Sequence, residues 1–339
     1  MSEQLVDPLA GLGGYRFGRR RLLSKKVNHL RGGDSRLCWL GTMTFRMTQL
    51  PLCQLGMPRQ THGCGNNVED IMNRPSWAPP EIDVTRPSAA RVYDYYLGGS
   101  HNFEVDRRMA EEAMRLWPEL PQIMQANRAF LGRAVRFLAN EGITQFIDIG
   151  SGIPTADHVH EVAQQANPDS RVVYVDRDPV AVAHSRAILA NDTHTTVVHA
   201  DLRQTERILQ DADVRSAIDF SRPVAMLMVA VLHFVPDEDD PAGAVQRLCD
   251  PLPEGSYLVI SHASADNQPD RAATHQQLYQ RTPTPMTMRT DAQVASFFAG
   301  FDLVPPGLVS MPLWRPNPAE TVDSGADQMA GYAGVGRKG

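Results

Sequence analysis

The chain has 339 residues, of which 42% are hydrophobic and 21% are charged, and its formal net charge is −6 at pH 7. This length and composition allow a sizeable core, so we expect a soluble globular protein with one large domain or two small ones. The longest apolar run, Val224 to Val235, is too short to cross a bilayer, so no membrane association is expected.

The cysteines predict the cellular compartment. Cys38, Cys53, Cys64 and Cys249 show neither CxxC spacing nor the density of a disulfide scaffold, which favours a reducing cytoplasm. His62 together with Cys53 and Cys64 does not complete a metal site, because no second pair of ligands follows at a regular spacing. We therefore predict a cytoplasmic protein without a bound metal.

Charge is distributed unevenly along the chain. Residues 1–71 contain 10 Lys and Arg against 5 Asp and Glu, which leaves 23 basic and 34 acidic residues for the remainder. The apolar residues of this first segment recur with neither the period of a helix nor that of a strand, so we predict a disordered basic extension. A nucleic-acid arm or a targeting peptide is the alternative, but regularly spaced aromatic residues and an apolar h-region are both missing. Because the composition changes near Met72, a further hypothesis is that translation begins there.

Residues 72–142 are predicted to form an N-terminal lid and helices. The segment Arg91–Phe103 combines three tyrosines with a Gly-Gly break, which favours a loop that folds over a ligand, and Asn102 is placed to cap the helix that follows. Two amphipathic runs then keep helical spacing as far as Gly142. Asn127 lies on the apolar stripe of the second run, so it is either a buried amide satisfied by a neighbouring loop or a group aimed into a site.

The stretch Phe146–Gly152 organises the remaining domain, residues 143–339. Four residues suited to a buried strand, one of them Asp148, run into Gly150-Ser151-Gly152, and an amphipathic run follows. This pattern predicts a strand, a tight turn and a helix, in which a ligand can approach the backbone at the carboxyl edge of a parallel sheet. Thr155 stands where the third glycine of the dinucleotide fingerprint would fall, which favours an adenosyl ligand without a pyrophosphate.

Acidic residues end the next two predicted strands. Asp176 follows Gly150 by 26 residues and is placed to accept hydrogen bonds from both hydroxyls of a ribose. Asp201, with Leu202, ends the third strand, where it can accept from an exocyclic adenine amine. Asp178 precedes a proline and is typical of a helix N-cap, so we predict a structural role for it first and a ligand contact second.

Two histidines end later strands. The runs 224–232 and 257–260 predict the fourth and fifth strands, and they lead into His233 and His262 at the carboxyl edge of the sheet. The C-terminal stretches can add two final strands as an antiparallel hairpin. The sequence therefore predicts an α/β protein with a mostly parallel, seven-stranded sheet, an antiparallel last strand and helices on both faces.

These motifs together resemble an actinobacterial family of S-adenosylmethionine-dependent methyltransferases that was once classified as a domain of unknown function. The likeness spans roughly Pro87 to Arg337 and does not include the first 71 residues. It is carried by Arg91–Phe103, Asn127–Leu131, Phe146–Thr155, Val172–Pro179, Ala200–Leu202, Leu232–Pro236 and Gly255–His262. The tyrosine-rich motif and the Leu-His-Phe-Val-Pro strand end are its most specific parts. The resemblance implies a Rossmann-like class I methyltransferase with S-adenosyl-L-methionine as cofactor, and it does not extend to the methyl acceptor.

The motifs give a set of candidate site residues. The glycine turn would hold the amino-acid portion of the cofactor, Asp176 the ribose and Asp201 the adenine, with Arg91–Phe103 as the lid. The candidate cofactor-binding residues are Arg91, Tyr93, Asn127, Asp148, Gly150, Ser151, Gly152, Asp176, Asp178, Asp201 and Leu202. His233 and His262 are the candidate catalytic bases, because an imidazole titrates close to neutral pH; the alternative for each is a hydrogen-bonded structural histidine.

Two other classes of function remain open at this point. An NAD(P)-dependent oxidoreductase shares the strand-turn-helix pattern, but Thr155 in place of the third glycine argues against it. A non-catalytic regulator that binds an adenosyl ligand, and that uses its basic extension on nucleic acid, would need a continuous positive surface that the acidic main body does not offer. We therefore expect a small-molecule substrate, no nucleic-acid partner and no membrane partner, and the sequence does not predict an oligomeric state.

Overall fold

The structure is a computed structural model that describes residues 82–153, 158–280, 282–317 and 325–339. The predictions for the basic extension 1–71 and for a start at Met72 lie outside these ranges, as does Thr155. No helix within the described ranges is both long enough and apolar enough to span a bilayer.

A single eight-stranded sheet forms the centre of the domain. Its strands are β1 Gln145–Ile149, β2 Arg171–Asp176, β3 Thr195–His199, β4 Ala225–Val229, β5 Tyr257–His262, β6 Phe301–Leu303, β7 Val309–Ser310 and β8 Tyr332–Lys338. The spatial order is β3-β2-β1-β4-β5-β8-β6, and the short β7 also pairs with β8. Strands β1 to β5 are parallel to one another, whereas β8 is antiparallel to β5, β6 and β7. The predicted mostly parallel α/β architecture is confirmed.

The apolar residues of the central strands are buried on both faces of the sheet. Val172 and Tyr174 pack into one hydrophobic cluster, whereas Val173 and Val175 pack into the other. This two-residue alternation follows from the pleat of a strand, which points successive side chains to opposite faces. Helices cover both faces, as expected for a parallel sheet whose strands are nearly continuous apolar runs.

Ten α-helices surround the sheet in the described part of the chain. They are α1 Ala89–Tyr96, α2 Glu104–Leu116, α3 Leu120–Asn140, α4 Val159–Ala166, α5 Pro179–Ile188, α6 Thr205–Gln210, α7 Ala212–Ala217, α8 Pro241–Cys249, α9 Pro269–Tyr279 and α10 Asp291–Ser296. Short 3-10 turns occur at Leu232–Phe234, Asp237–Asp239, Met311–Leu313 and Ala326–Gln328.

The tyrosine-rich segment is more helical than the sequence predicts. Its first part is α1, and only the residues between α1 and α2 form a turn. The buried carboxylate of Asp94 organises this turn by accepting from the backbone N–H of His101, at 2.9 Å, and from Nδ2 of Asn102, at 2.8 Å. Asn102 therefore does not cap α2. Asp106 does so instead, accepting from the backbone N–H of Phe103 at 2.8 Å.

Two other elements end differently from the prediction. Strand β4 stops at Val229, because Ala230 takes a left-handed backbone conformation with φ 55°. His233 consequently lies on the 3-10 turn that follows β4 and not on the strand itself. The C-terminal region adds three strands to the sheet in place of the two predicted, since β7 is a separate two-residue pairing that a 3-10 turn ends.

Candidate active site

The turn after β1 brings backbone N–H groups to the carboxyl edge of the sheet. Gly150 and Gly152 have φ values of +73° and +68°, which side-chain-bearing residues rarely adopt. A Cβ atom at Gly150 would lie 2.3 Å from Val231, so this glycine is also needed for close packing. No atom of the described residues lies within 4 Å of the corresponding position at Gly152, so the described part of the chain leaves space beside this glycine.

Asp176 joins the end of β2 to this turn. One carboxylate oxygen accepts from the backbone N–H of Gly152 at 2.7 Å, and the other accepts from the backbone N–H of Asp178 at 2.7 Å. Burial raises the pKa of Asp176 to about 6, despite these hydrogen bonds. Each carboxylate oxygen has a second lone pair, so the group can still accept from a ligand hydroxyl.

Asp148 is a second buried carboxyl at the same edge, in β1. Burial raises its pKa to about 7, the positive charge of Arg128 opposes this shift, and the negative charge of Asp176 adds to it. A cation bound beside Asp148 would lower its pKa and favour the carboxylate. This position is therefore suited to a positively charged ligand group such as an ammonium.

Asp201 follows β3 and lies at the edge of the site. Its carboxylate accepts from the guanidinium of Arg203, at 2.7 and 2.9 Å, and from Arg177 at 3.4 Å. Burial alone would raise the pKa of Asp201, but the hydrogen bonds and charge of Arg203 lower it overall. Leu202 is buried beside it. The pair thus offers an ionised acceptor next to an apolar surface.

One cavity of about 400 Å³ connects these groups. This main cavity has a volume in the usual range for small-ligand sites. All of the predicted cofactor-binding residues line it, namely Arg91, Tyr93, Asn127, Asp148, Gly150, Ser151, Gly152, Asp176, Asp178, Asp201 and Leu202. The fold brings them together from α1, α3 and the ends of β1, β2 and β3. Their contacts with a cofactor stay a prediction.

Arg91 and Asp178 are held mainly by protein groups. The buried guanidinium of Arg91 pairs with Asp106 at 2.8 Å, donates to the backbone carbonyl of Arg86 at 2.7 Å, and lies 3.9 Å from Asp178. Asp178 accepts from the backbone N–H of Val180 at 2.8 Å, which confirms the predicted N-cap of α5. These contacts fix α1 against the start of α5, at the rim of the main cavity.

Asn127 belongs to a hydrogen-bonded chain that crosses from α1 to β5. Its Nδ2 donates to the hydroxyl of Tyr93 at 2.9 Å, and its Oδ1 accepts from the hydroxyl of Ser261 at 2.5 Å. Ser261 in turn accepts from the backbone N–H of Ala230 at 3.0 Å. The amide is therefore satisfied by a helix and a strand, not by the neighbouring loop that was predicted. It also lines the main cavity, and a contact with a ligand stays a prediction.

The two candidate histidines lie apart from the main cavity and form one buried cluster. The ring centroids of His233 and His262 are 5.3 Å apart, and both rings line a second, smaller cavity. Burial lowers the pKa of His262 to about 3 and that of His233 well below its usual value, and neighbouring positive charge adds to the shift at His233. Both rings are consequently neutral at physiological pH.

Hydrogen bonds account for both ring nitrogens of His262. Nε2 accepts from the guanidinium of Arg289 at 3.0 Å, so Nδ1 carries the proton and donates to the backbone carbonyl of Ala263 at 2.7 Å. Nδ1 of His233 accepts from the backbone N–H of Ala263 at 3.4 Å, which leaves the proton on its Nε2. Neither neutral ring therefore presents a ring-nitrogen lone pair that lacks a partner.

Three site residues were missed in the sequence. Arg128 is adjacent to Asn127 and could have been found from that motif, because both project from one turn of α3 into the main cavity. Arg289 is an isolated basic residue in a loop, and no local pattern marks it as buried. Trp117 lines the second, smaller cavity. In the sequence it ends an amphipathic run, which predicts the end of a helix and gives no sign of a cavity wall.

The donor and acceptor groups of the main cavity fit S-adenosylmethionine. Carboxylates at the ends of β1, β2 and β3 match an ammonium, a ribose diol and an adenine amine, and the open glycine turn admits close approach of the ligand to the backbone. Among the described residues, no group of three or more His, Cys, Asp and Glu side chains is arranged to hold a metal ion.

Comparison with solved structures reveals similar folds. A DUF574 family protein from Streptomyces avermitilis is 42% identical, with a TM-score of 0.73 over 76% of this chain and 99% of that protein. A candidate methyltransferase from Thermobifida fusca is also 42% identical, with a TM-score of 0.73 over 78% of this chain and 99% of that protein.

Similarity to a curated protein is more local. Over 62 residues the chain is 34% identical to ribosomal RNA small subunit methyltransferase H of Halorhodospira halophila, and the match spans 19% of the length of that relative. The model of the S-adenosyl methyltransferase family matches residues 75–339, which include every described strand, helix and site residue. The chain therefore belongs to the S-adenosyl methyltransferase family, and its cofactor is S-adenosylmethionine.

Proposed function

We propose that this protein transfers the methyl group of S-adenosylmethionine to a small-molecule acceptor in the cytoplasm. The observation that supports the proposal is the hydrogen bond from the N–H of Gly152 to Asp176, which joins a carboxylate suited to a ribose with the backbone turn in one cavity. A concave cavity of about 400 Å³ also favours a small acceptor over a macromolecule. Cys249, a buried free thiol, is consistent with a reducing compartment.

The residues of the main cavity have separate binding roles in this proposal. Asp176 accepts the ribose hydroxyls, and Asp201 accepts the adenine amine beside Leu202. Asp148 faces the ammonium of the methionine portion, while Arg128, whose positive charge acts on Asp148, is placed to attract the carboxylate of the same portion. A zwitterionic end group thus meets one acidic and one basic side chain.

S-adenosylmethionine supplies an activated methyl group on a sulfonium. When bound, the cofactor would give up this methyl group as the acceptor atom bonds to the carbon, and the electron pair of the broken bond would remain on sulfur. The protein has to align the acceptor atom with that bond and exclude water. His233 and His262 remain candidates for proton acceptance, but their hydrogen bonds and neutral rings favour a positioning role.

The proposal is tested first by binding. Calorimetry should detect S-adenosylhomocysteine, the demethylated product, with clearly tighter binding than NADH. Incubation of the protein with methyl-labelled S-adenosylmethionine and a small-molecule extract should then transfer the label to a compound below the size of a protein or a nucleic acid. Equal binding of NADH, or label found only in macromolecules, would contradict the proposal.

A further inference from the structure

A second cavity of about 60 Å³ lies behind the main cavity. We call it the inner cavity; Tyr96, Trp117, Phe234, His275 and Tyr279 form much of its wall. The two cavities share the side chains of Tyr93, Asn127 and Phe234, together with Ala89 and Ala230. A molecule in the inner cavity would therefore touch the same residues that border the cofactor site.

Aromatic rings surround the inner cavity. Trp117 and His275 meet edge to face with ring centroids 5.9 Å apart, and His275 lies 5.0 Å from Tyr279. Phe234 continues this wall, with its ring centroid 5.8 Å from that of Tyr279. Such surfaces favour a flat aromatic guest, because aromatic rings prefer edge-to-face and offset contacts at these separations.

The wall of the inner cavity carries no formal charge. None of the described residues that line it is Asp, Glu, Lys or Arg. Burial lowers the pKa of His275 to about 4, so this ring is neutral at physiological pH, as are those of His233 and His262. A charged guest would lose its hydration without gaining a counter-ion, and the cavity therefore selects an uncharged group.

Two ring nitrogens of the wall, together with the hydroxyl of Tyr96, lack a hydrogen-bond partner among the described residues. Nε1 of Trp117 and Nδ1 of His275 are buried and have no hydrogen-bond partner among the described residues. Trp117 is 1% exposed and His275 is 3% exposed. An unsatisfied buried donor or acceptor is destabilising, so such groups usually have a ligand or an ordered water as partner.

The two ring nitrogens together fit a hydroxyl group. The indole N–H can only donate, whereas Nδ1 of a neutral imidazole can accept. A hydroxyl oxygen accepts from the first and donates to the second, and therefore satisfies both. Four methionines also line the cavity, and their flexible side chains can shift to admit a ring larger than the space that the structure leaves.

We propose that the inner cavity binds the methyl acceptor through an uncharged aromatic ring whose hydroxyl group is held between Nε1 of Trp117 and Nδ1 of His275. This inference rests on the proposed methyltransferase function and names the class of its acceptor, a hydroxyaromatic compound. The hydroxyl marks the buried end of the acceptor. The methylated atom then lies at the opposite end, next to Tyr93 and Asn127 and facing the cofactor.

The probe for this site is 4-fluorophenol, and its charged counterpart is 4-fluorobenzoate. Fluorine NMR titrations are made on protein saturated with S-adenosylhomocysteine, so that the main cavity is filled. We expect 4-fluorophenol to bind and 4-fluorobenzoate to bind at least about tenfold more weakly, because the carboxylate would be buried without a partner. Equal binding of the two probes would overturn the inference.

Trp117→Phe removes the indole N–H and keeps an aromatic ring. It should weaken 4-fluorophenol binding by about fivefold, the size expected for one neutral hydrogen bond, and leave the affinity for S-adenosylhomocysteine unchanged. Trp314→Phe is the matched control, because Trp314 is fully buried, its Nε1 also lacks a partner among the described residues, and it lies outside the inner cavity. Equal losses in the two variants would contradict the assignment.

His275→Phe gives a second, independent loss of 4-fluorophenol affinity if Trp117→Phe does not fold. The outcomes separate the two proposals. If S-adenosylhomocysteine binds and 4-fluorophenol does not, the buried polar atoms hold only water and this inference fails, while the proposed function stands. If the wild-type protein does not bind S-adenosylhomocysteine, the proposed function itself fails.

Discussion

The carboxylate of Asp176 accepts a hydrogen bond from the backbone N–H of Gly152 at 2.7 Å, which ties the tip of β2 to the turn that follows β1. The strand order β3-β2-β1-β4 reverses direction at β1. Ligands of open α/β sheets bind at this kind of reversal, because the connections leave opposite faces of the sheet and open a crevice between them. The bridge therefore positions a ligand acceptor inside the crevice that the topology creates.

Asp176→Ala should weaken S-adenosylhomocysteine binding by about 2 to 3 kcal/mol, as expected for lost charge-assisted hydrogen bonds to the ribose. The change is measured by calorimetry, with the melting temperature of the ligand-free protein as a check on folding. Asp302→Ala is a suitable control, since Asp302 is an exposed aspartate on β6 at the far end of the sheet. An unchanged affinity for the Asp176 variant would remove it from the ribose site.

Asp148 predicts a pH dependence of cofactor binding. Burial raises its pKa to about 7 in the free protein, so protonated and ionised Asp148 coexist near neutral pH. If the ammonium of S-adenosylhomocysteine requires the carboxylate, affinity should fall by up to about tenfold per pH unit below pH 7. Calorimetry at pH 8, 7 and 6 measures this slope, which Asp148→Asn should flatten. A parallel slope in that variant would assign the titration to another group.

The stability of the free protein should change in the opposite direction. Because the folded-state pKa of Asp148 is raised above the unfolded value, its contribution to stability is fully present below the unfolded pKa and is lost as pH rises through about 7. The ligand-free protein should therefore melt at a higher temperature at pH 6 than at pH 8, relative to Asp148→Asn. Thermal denaturation of the two proteins side by side gives this difference.

Strong local patterns made the sheet and the residues of the main cavity predictable. A buried strand with an acid near its end and a glycine turn after it can be recognised from consecutive residues, as at Asp148 and Gly150. The parallel sheet then brings the ends of such strands together. The same logic located Asp176 and Asp201. For these positions, local sequence and tertiary structure favour the same arrangement.

The inner cavity was not predictable in the same way. Trp117 and His275 are separated by more than 150 residues in the sequence, and each lies in a pattern typical of an ordinary amphipathic helix or helix end. Their meeting depends on how α2 and α9 pack against each other. The prediction of a loop at Arg91–Phe103 is partly wrong for a related reason. Buried contacts of Arg91 and Asp94 stabilise a helix, which the Gly-Gly pair in the sequence does not suggest.

Arg289 should be essential for the stability of the region around the two histidines. Its buried guanidinium donates to the backbone carbonyls of Leu232 and Val235, at 3.1 and 2.9 Å, and to Nε2 of His262. Arg289→Ala leaves these acceptors without a donor and should reduce the free energy of unfolding by about 3 kcal/mol. Urea denaturation measures this loss.

The control for that change is Arg271→Ala. Arg271 is exposed and pairs with Glu119 at 3.2 Å, so its loss should alter the free energy of unfolding by no more than about 1 kcal/mol. If the two arginine variants denature at the same urea concentration, the buried hydrogen bonds of Arg289 contribute no more to the free energy of unfolding than a surface ion pair does. The two histidines are then held in place by packing alone.

The segment Arg91–Phe103 is expected to become more protected when the cofactor binds. Arg91 and Tyr93 of α1 line the main cavity, so a ligand that fills this cavity adds contacts to the segment, and the glycine-containing turn after α1 has the backbone freedom for a small closing motion. Hydrogen exchange should therefore slow markedly in residues 91–103 when S-adenosylhomocysteine is added, while exchange in the buried strand β4 barely changes. The buried pair of Arg91 and Asp106 gives the opposite expectation, a segment fixed in place before any ligand arrives. Equal protection with and without the ligand would establish that fixed wall and defeat the lid hypothesis.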